Sequence, residues 1–171
     1  IWPTLTETAQ PALLEIQGVR IAMLGFCDHF RPPVPEPIQE CPAIADEETM
    51  CLAVRNAAGS SDIVIVQLHW GYEFAVHPLR RHRDLARRLV HCGAHAVLCH
   101  HAHVPMGLEV IGNGFIAHGL GNFLFSREDY QIFNHDWASL SYFLEVQFSR
   151  TGVQRVSLHP YELLPGPRIQ L

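Results

Sequence analysis

Three histidines in two short runs carry the chemistry legible in this chain. His69 follows the apolar run Asp62-Ile63-Val64-Ile65-Val66-Gln67-Leu68, and His101 and His103 follow Ala96-Val97-Leu98-Cys99-His100. Imidazole is the commonest metal-ligating side chain, and strand ends are where an α/β sheet presents chemistry. An HxH pair on a turning segment offers two imidazoles, and a third from a neighbouring strand end completes one face of a site. Three neutral imidazoles suit Zn, Fe or Mn and leave positions open for water and substrate. A metal so held polarises a phosphoryl or carbonyl oxygen and lowers the pKa of bound water. The residues therefore point to a metal-dependent hydrolase. His69 alone would carry little weight, because a single histidine near a strand end is more often a hydrogen-bonded structural residue.

These side chains must be positioned by the elements around them. Leu13–Ile16 and Val19–Phe26 read as strands joined at Gln17-Gly18. A proline-rich stretch with Pro32, Pro33, Pro35, Pro37 and Pro42 reads as a loop, because proline lacks a ladder donor. His29, beside Asp28, would border the cleft from there. Asp46 caps a helix to about Ala58, with Met50, Ala53, Val54 and Ala57 on one face. The strand Asp62–Leu68 is apolar on consecutive positions, as in a sheet covered on both sides. A second helix starts near Pro78 and stops at Gly93. Its Arg80, Arg81, Arg83, Arg87 and Arg88 read as a solvated face rather than a polymer-binding stripe. Further strands span Ala94–Cys99, Gly107–Ile111, Phe115–His118, Leu140–Phe148 and Val153–Leu163, with a hairpin turn at Gly112-Asn113-Gly114. Helices between strands, then strands alone, indicate α/β with an antiparallel extension.

A length of 171 residues suits one domain with a real core. Hydrophobic residues make up 48% and charged residues 17%, which excludes a disordered chain. A net charge of −5 provides no basic field for nucleic acid. The five cysteines, Cys27, Cys41, Cys51, Cys92 and Cys99, form no CxxC pair, which argues against a zinc ribbon or a thioredoxin-like motif. No apolar run approaches the ~20 residues of a membrane span. The first residue is Ile1 rather than Met, so targeting sequence upstream stays open.

Four ordered segments resemble the bacterial capsule-synthesis CapA family, whose members are linked to poly-gamma-glutamate capsules and resemble calcineurin-like metallophosphoesterases. They are His69-Trp70-Gly71-Tyr72-Glu73, the helix-to-strand run Leu85-Ala86 through Cys92-Gly93-Ala94 to Val97, His100-His101-Ala102-His103, and Leu120-Gly121-Asn122-Phe123-Leu124-Phe125. The run Gly18-Val19-Arg20-Ile21-Ala22-Met23-Leu24-Gly25 also fits, and the resemblance extends from about Leu14 to Leu124. It implies the C-terminal half of a calcineurin-like β-sandwich flanked by helices, as a single partial domain over residues 1–171. It implies two divalent ions (Mn, Fe or Zn) in the intact domain, His69 and His101 sharing one and His103 reaching the other. Glu73 and His100 are the catalytic candidates, Glu73 as an orienter of a ligand histidine or else a carboxylate bonded to backbone amides. His100 would point opposite to His101 if the segment were extended. His118 and Asn122 are candidates for substrate binding, with a turn role for Asn122 as the alternative.

The chain departs from the family pattern at Cys99, where glycine is usual, and at Ala102, His118 and Gly119. Cys99 would crowd the loop or add a soft ligand. The superfamily's other ligands, a bridging Asp and an Asn-His pair, have no counterpart before Ile16. The missing N-terminal segment of the domain is therefore an expected partner. The substrate would be an anionic polymer or a small molecule: a phosphoester, or an amide bond in a polyglutamate-like chain. The alternatives are a non-catalytic metal- or polymer-binding component of capsule assembly or export, and a small-molecule enzyme on the same scaffold. Family members are often tied to the bacterial membrane or cell surface, through sequence outside this chain.

Overall fold

The computed structural model describes residues 10–27, 46–123, 139–164 and 168–170. The proline-rich stretch, His29, Leu124 and Phe125 lie outside the described residues. The hairpin signal at Gln17-Gly18 produces β1 (Ala12–Ile16) and β2 (Val19–Cys27). The consecutive apolar run becomes β3 (Ile63–His69), an interior strand between β2 and β4 (Ala96–His100). The turn at Gly112-Asn113 joins β5 (Leu108–Ile111) to β6 (Gly114–Ala117). These six strands form one sheet in the order β1-β2-β3-β4-β6-β5. The central four run parallel, and the two edges are antiparallel hairpin strands.

Two helices cover one face of this sheet. In α1 (Glu47–Ser60) the buried residues are Met50, Cys51, Ala53, Val54 and Ala57, as the 3.6-residue period requires. Asp46 caps it, with Oδ1 accepting from the Thr49 backbone N–H at 2.9 Å. The second helix, α2 (Arg80–His91), begins two residues after Pro78, with Leu79 at the N-cap and no side-chain cap. Its buried side includes Leu85, Ala86 and Leu89. Four of its arginines reach carboxylates: Arg80 and Arg83 reach Asp84, Arg87 reaches Glu109, and Arg88 reaches Glu47 and Glu48 of α1.

The other face is covered by a second sheet of β7 (Leu140–Ser149), β8 (Gly152–Leu164) and β9 (Arg168–Gln170). The alternation of β7 and β8 marks one buried face on each strand. Their apolar positions Leu144, Val146, Phe148, Val153 and Val156 pack on Ala96, Phe115 and Ala117 across the sandwich, as the expected β-sandwich requires. The three-residue β9 is too short to leave a periodic signal. Backbone contacts pin the layers together: the Val153 N–H donates to the Asn113 carbonyl at 3.2 Å. The Arg150 guanidinium donates to the Gly18 carbonyl at 2.7 Å. The result is a β-sandwich flanked by helices on one side. Edge strand β1 exposes Leu13, Leu14 and Ile16.

Hydrogen bonds from Thr49 hold the Asp46 carboxyl below the usual range, and those from Arg20 do the same for Asp62. The folded chain therefore binds these two protons less readily than the unfolded chain. Their contribution to stability is full above the ordinary carboxylate pKa of about 4 and is lost as the pH falls through the lowered native values. Replacing Asp46→Ala lowers the melting temperature by ~2–5 °C at neutral pH. Thermal melts at pH 7 and near pH 3 test this: the gap between variant and parent closes in acid, and a constant gap would contradict a role for the ionised cap.

Candidate metal centre

Parallel pairing puts the C-terminal ends of β2, β3 and β4 side by side. Cys27 pairs with His69, and His69 pairs with His100. The three lie on the face away from the helices, since their strand neighbours Leu68 and Cys99 belong to the helix-side core. Here the ends of these strands and the loops that follow bound a cleft of about 750 Å³ lined by Gly25, Cys27, His69, His100, His101 and His103 among others. Gly25 contributes no side chain, which keeps the β2 side open. A second hollow of about 780 Å³, bordered by Met106, Tyr142, Leu158 and Pro160, contains no group of metal-ligating residues. The histidine cleft is therefore the candidate site.

The loop after β4 departs from extended geometry at once. His101 has φ 87° and His103 has φ 60°, both in the left-handed region. Such conformations in non-glycine residues cost on the order of 1–3 kcal/mol each and persist only where the surroundings impose them. They correct one expectation: His100 does not point away from His101, because the backbone reversal brings both to the cleft. The rings of His69 and His101 lie 4.8 Å apart between centroids, and those of His101 and His103 lie 6.2 Å apart. The loop after β3 reaches the same place. Gly71 at φ 98° and Phe74 at φ 60° turn it back, and the Phe74 N–H donates to the Ala102 carbonyl at 2.7 Å. Glu73 thereby joins His101 and His103, the three offering ligand atoms within 4.8 Å of one another.

Asn122 fixes His103. Its amide Nδ2 donates to the His103 carbonyl at 3.1 Å, so its Oδ1 is the acceptor that faces His103 Nδ1 at 2.7 Å. The imidazole must then carry its proton on Nδ1, which leaves the Nε2 lone pair for a ligand. Asn122 is itself buried, and its turn is clamped by the second sheet. Tyr161 donates to the Asn122 carbonyl, Ser141 to the Leu120 carbonyl at 2.9 Å, and Tyr142 to the Gly119 carbonyl at 2.7 Å. Gly121 sits at φ 73°, and a Cβ there would collide with Ser141. These three hydroxyl residues were not among the sequence candidates. Their only signal was polar residues on strands that otherwise read as core and surface.

The remaining candidates separate. His100 Nε2 is buried without a hydrogen-bond partner among the described residues. Burial, with His69 alongside, lowers its pKa and favours the neutral ring. His118 does not line the cleft: it is buried beside Glu109 at 3.2 Å, and Glu109 in turn pairs with Arg87 of α2 at 2.6 Å. Strand alternation explains this, since Ile116 two residues earlier packs in the helix-side core. Cys99 is fully buried in that core, and burial pushes its thiol up to about 12, opposed by a hydrogen bond from Trp70. It is not placed as a soft ligand. Trp70 also stacks on His82 at 4.6 Å, anchoring the start of α2 under the loop. The donor set suits a divalent transition metal: imidazoles with one ring tautomer fixed, a nearby carboxylate, and a buried imidazole nitrogen left unpaired.

Comparison with known proteins is consistent with this geometry. A family model described as bacterial capsule synthesis protein PGA_cap matches residues 2–127. The PGA biosynthesis protein CapA of Bacillus subtilis (strain 168) is 33% identical over 158 residues, covering 90% of this chain and 40% of the relative. The capsule biosynthesis protein CapA of Bacillus anthracis is 32% identical over 117 residues, covering 66% of this chain and 28% of the relative. The chain thus spans well under half the length of these relatives. Among solved structures, the sulfate thiohydrolase SoxB of Thermus thermophilus in complex with glycerol superimposes with a TM-score of 0.57 at 15% identity. That match covers 88% of this chain and 24% of the SoxB chain. The likeness is one of fold.

Replacing Asn122→Ala leaves the His103 Nδ1 proton and carbonyl without their partner and opens a small void. Chemical denaturation should show a loss of ~1–3 kcal/mol. Tyr161→Phe, which removes only the clamp on the turn, should cost ~1 kcal/mol. Wild-type stability in both would contradict the clamp.

Proposed function

This chain belongs to the bacterial capsule synthesis family, and from that premise we propose that it is a metal-dependent hydrolase of capsule biosynthesis. Its substrate is a phosphoester or an amide bond in a poly-gamma-glutamate-type polymer. The observation that carries this reading is the convergence of His69, His101 and His103 on one cleft, with the His103 ring oriented by Asn122 through Nδ1. A divalent ion held there supplies Lewis acidity toward a phosphoryl or carbonyl oxygen and a water of lowered pKa. The residues do the rest. Asn122 keeps His103 oriented. The neutral His100 ring, buried beside His69, forms part of the cleft wall. The strand ends and the two loops bound the space in which the substrate must lie.

Two features support a site that is completed by further sequence. The relatives are more than twice as long as the stretch they share with this chain. Edge strand β1 also carries exposed Leu13, Leu14 and Ile16, a surface that calls for cover. In this reading, residues outside the 171 supply the remaining ligands of a second ion. A purely scaffolding role on an anionic polymer draws less support, because Arg80, Arg83, Arg87 and Arg88 of α2 are paired with Asp84, Glu109, Glu47 and Glu48. Among the described residues no helix is long and apolar enough to cross a membrane.

Hydrolysis of a chromogenic phosphoester and of poly-gamma-glutamate, assayed with and without Mn(II), tests the proposal. Turnover of one of them should need the metal and fall in His101→Ala and His103→Ala by about 100-fold or more, beyond the range typical of outer-shell changes. Activity indifferent to chelation, or preserved in both variants, would contradict it.

A further inference from the structure

We infer that Cys51 and Cys92 are a thiol–disulfide pair, whose oxidation ties α1 to α2 across the helix layer. The inference goes beyond the hydrolase reading and holds whether or not the cleft carries a metal.

The fold brings the two residues together. α1 and α2 are the crossovers between parallel strands, so they lie on one face of the sheet and run in the same direction. Arg88 of α2 meets Glu47 at 3.2 Å and also meets Glu48, both in the first turn of α1. One turn further along each helix stand Cys51 and Cys92. Their thiols meet in a hydrogen bond, and both are reduced. Cys92 also packs on the buried cluster that contains Cys51. The next residue shows the same close approach: a Cβ on Gly93 would lie 2.8 Å from the Cβ of Ala58, which is two turns beyond Cys51 on α1. Gly93 has φ 118°, so Cys92 stands where α2 ends. A chain end of this kind can adjust to the sulfur–sulfur bond of about 2.05 Å more readily than a helix interior. Two other cysteines are placed elsewhere. Cys27 lines the histidine cleft on the opposite face, and Cys99 lies on β4 against Trp70.

The two thiols are unequal. Cys51 is fully buried, whereas Cys92 is half-buried and is the one that a dissolved reagent reaches. Burial, with Cys92 alongside, pushes the Cys51 thiol up to about 11, so it stays protonated at neutral pH. Oxidation by a small disulfide such as glutathione disulfide then runs in a fixed order. The Cys92 thiolate attacks one glutathione sulfur, the glutathione S–S bond breaks, and one glutathione leaves as its thiol. Cys51 gives its proton to solvent and attacks the Cys92 sulfur, releasing the second glutathione, which takes up a proton. Two protein thiols are oxidised, and one small disulfide is reduced to two thiols. The ring closed in this way contains β3 and therefore His69. It tightens the strand that brings this histidine to the cleft.

Peptide mapping of the full 171-residue protein tests the pairing. The reduced protein is equilibrated with glutathione disulfide at about pH 8.5, alkylated, digested and read by mass spectrometry. The expected product is a peptide pair joined through Cys51 and Cys92. In Cys51→Ala the reaction should stop at a glutathione adduct on Cys92. In Cys92→Ser, Cys51 should remain a free thiol, because the reagent does not reach it. Circular dichroism checks that both variants are folded. The oxidised parent should melt ~5–15 °C above the reduced parent, a gain that dithiothreitol removes and that Cys92→Ser never shows. Cys51 and Cys92 recovered as free thiols from the folded parent, or either one joined to a different cysteine, would overturn the pairing. A linked parent that melts no higher than the reduced one would overturn the tie between the helices.

Discussion

The reciprocal pair between Asn122 and His103 is the contact on which the candidate site depends. One amide satisfies the backbone and the ring of the same histidine, so it fixes both the path of the loop and the proton on the imidazole. A left-handed histidine is costly, and it stays in place only because its surroundings determine it from several directions. Those surroundings are the second sheet. Ser141, Tyr142 and Tyr161 hold the Leu120-Gly121-Asn122 turn by its carbonyls, and β7 and β8 are held in turn by apolar packing on Ala96, Phe115 and Ala117. The C-terminal strands, far from the histidines in sequence, are thereby made part of the site.

The other half of the arrangement comes from strand direction. β2, β3 and β4 are parallel, so their last residues gather at one end of the sheet, and their register sets Cys27, His69 and His100 in a row. Helices α1 and α2 supply the crossovers that parallel strands need and seal the opposite face. Chemistry is left to the face that the second sheet covers incompletely. The same logic removes His118 and Cys99: each falls on the helix side of its strand, where packing and hydrogen bonds occupy it fully.

Much of this was legible in the residues. Consecutive apolar positions marked the interior strands, the 3.6-residue period marked the helices, and Gly112-Asn113-Gly114 marked the hairpin. His69, His101 and His103 stood out because strand ends are where such residues meet. What periodicity could not convey was layer assignment. Alternation in β7 and β8 says that one face is buried, and not against what. It also could not convey backbone reversal. His100 and His101 both line the cleft although they are adjacent, and His101 is left-handed, a state that local sequence without glycine does not announce. The role of Asn122 was open between turn and substrate contact, since the side chain that it holds lies nineteen residues away and is met only in three dimensions.

The central claim is that these loops converge on a metal. Anomalous diffraction from crystals of the protein grown with Mn(II) would locate the ion directly. A strong peak within bonding distance of His101 or of His103 Nε2, with Asn122 still on His103 Nδ1, is the predicted result. A peak elsewhere in the cleft that touches neither histidine, or none at saturating Mn(II) in well-ordered crystals, would contradict the account.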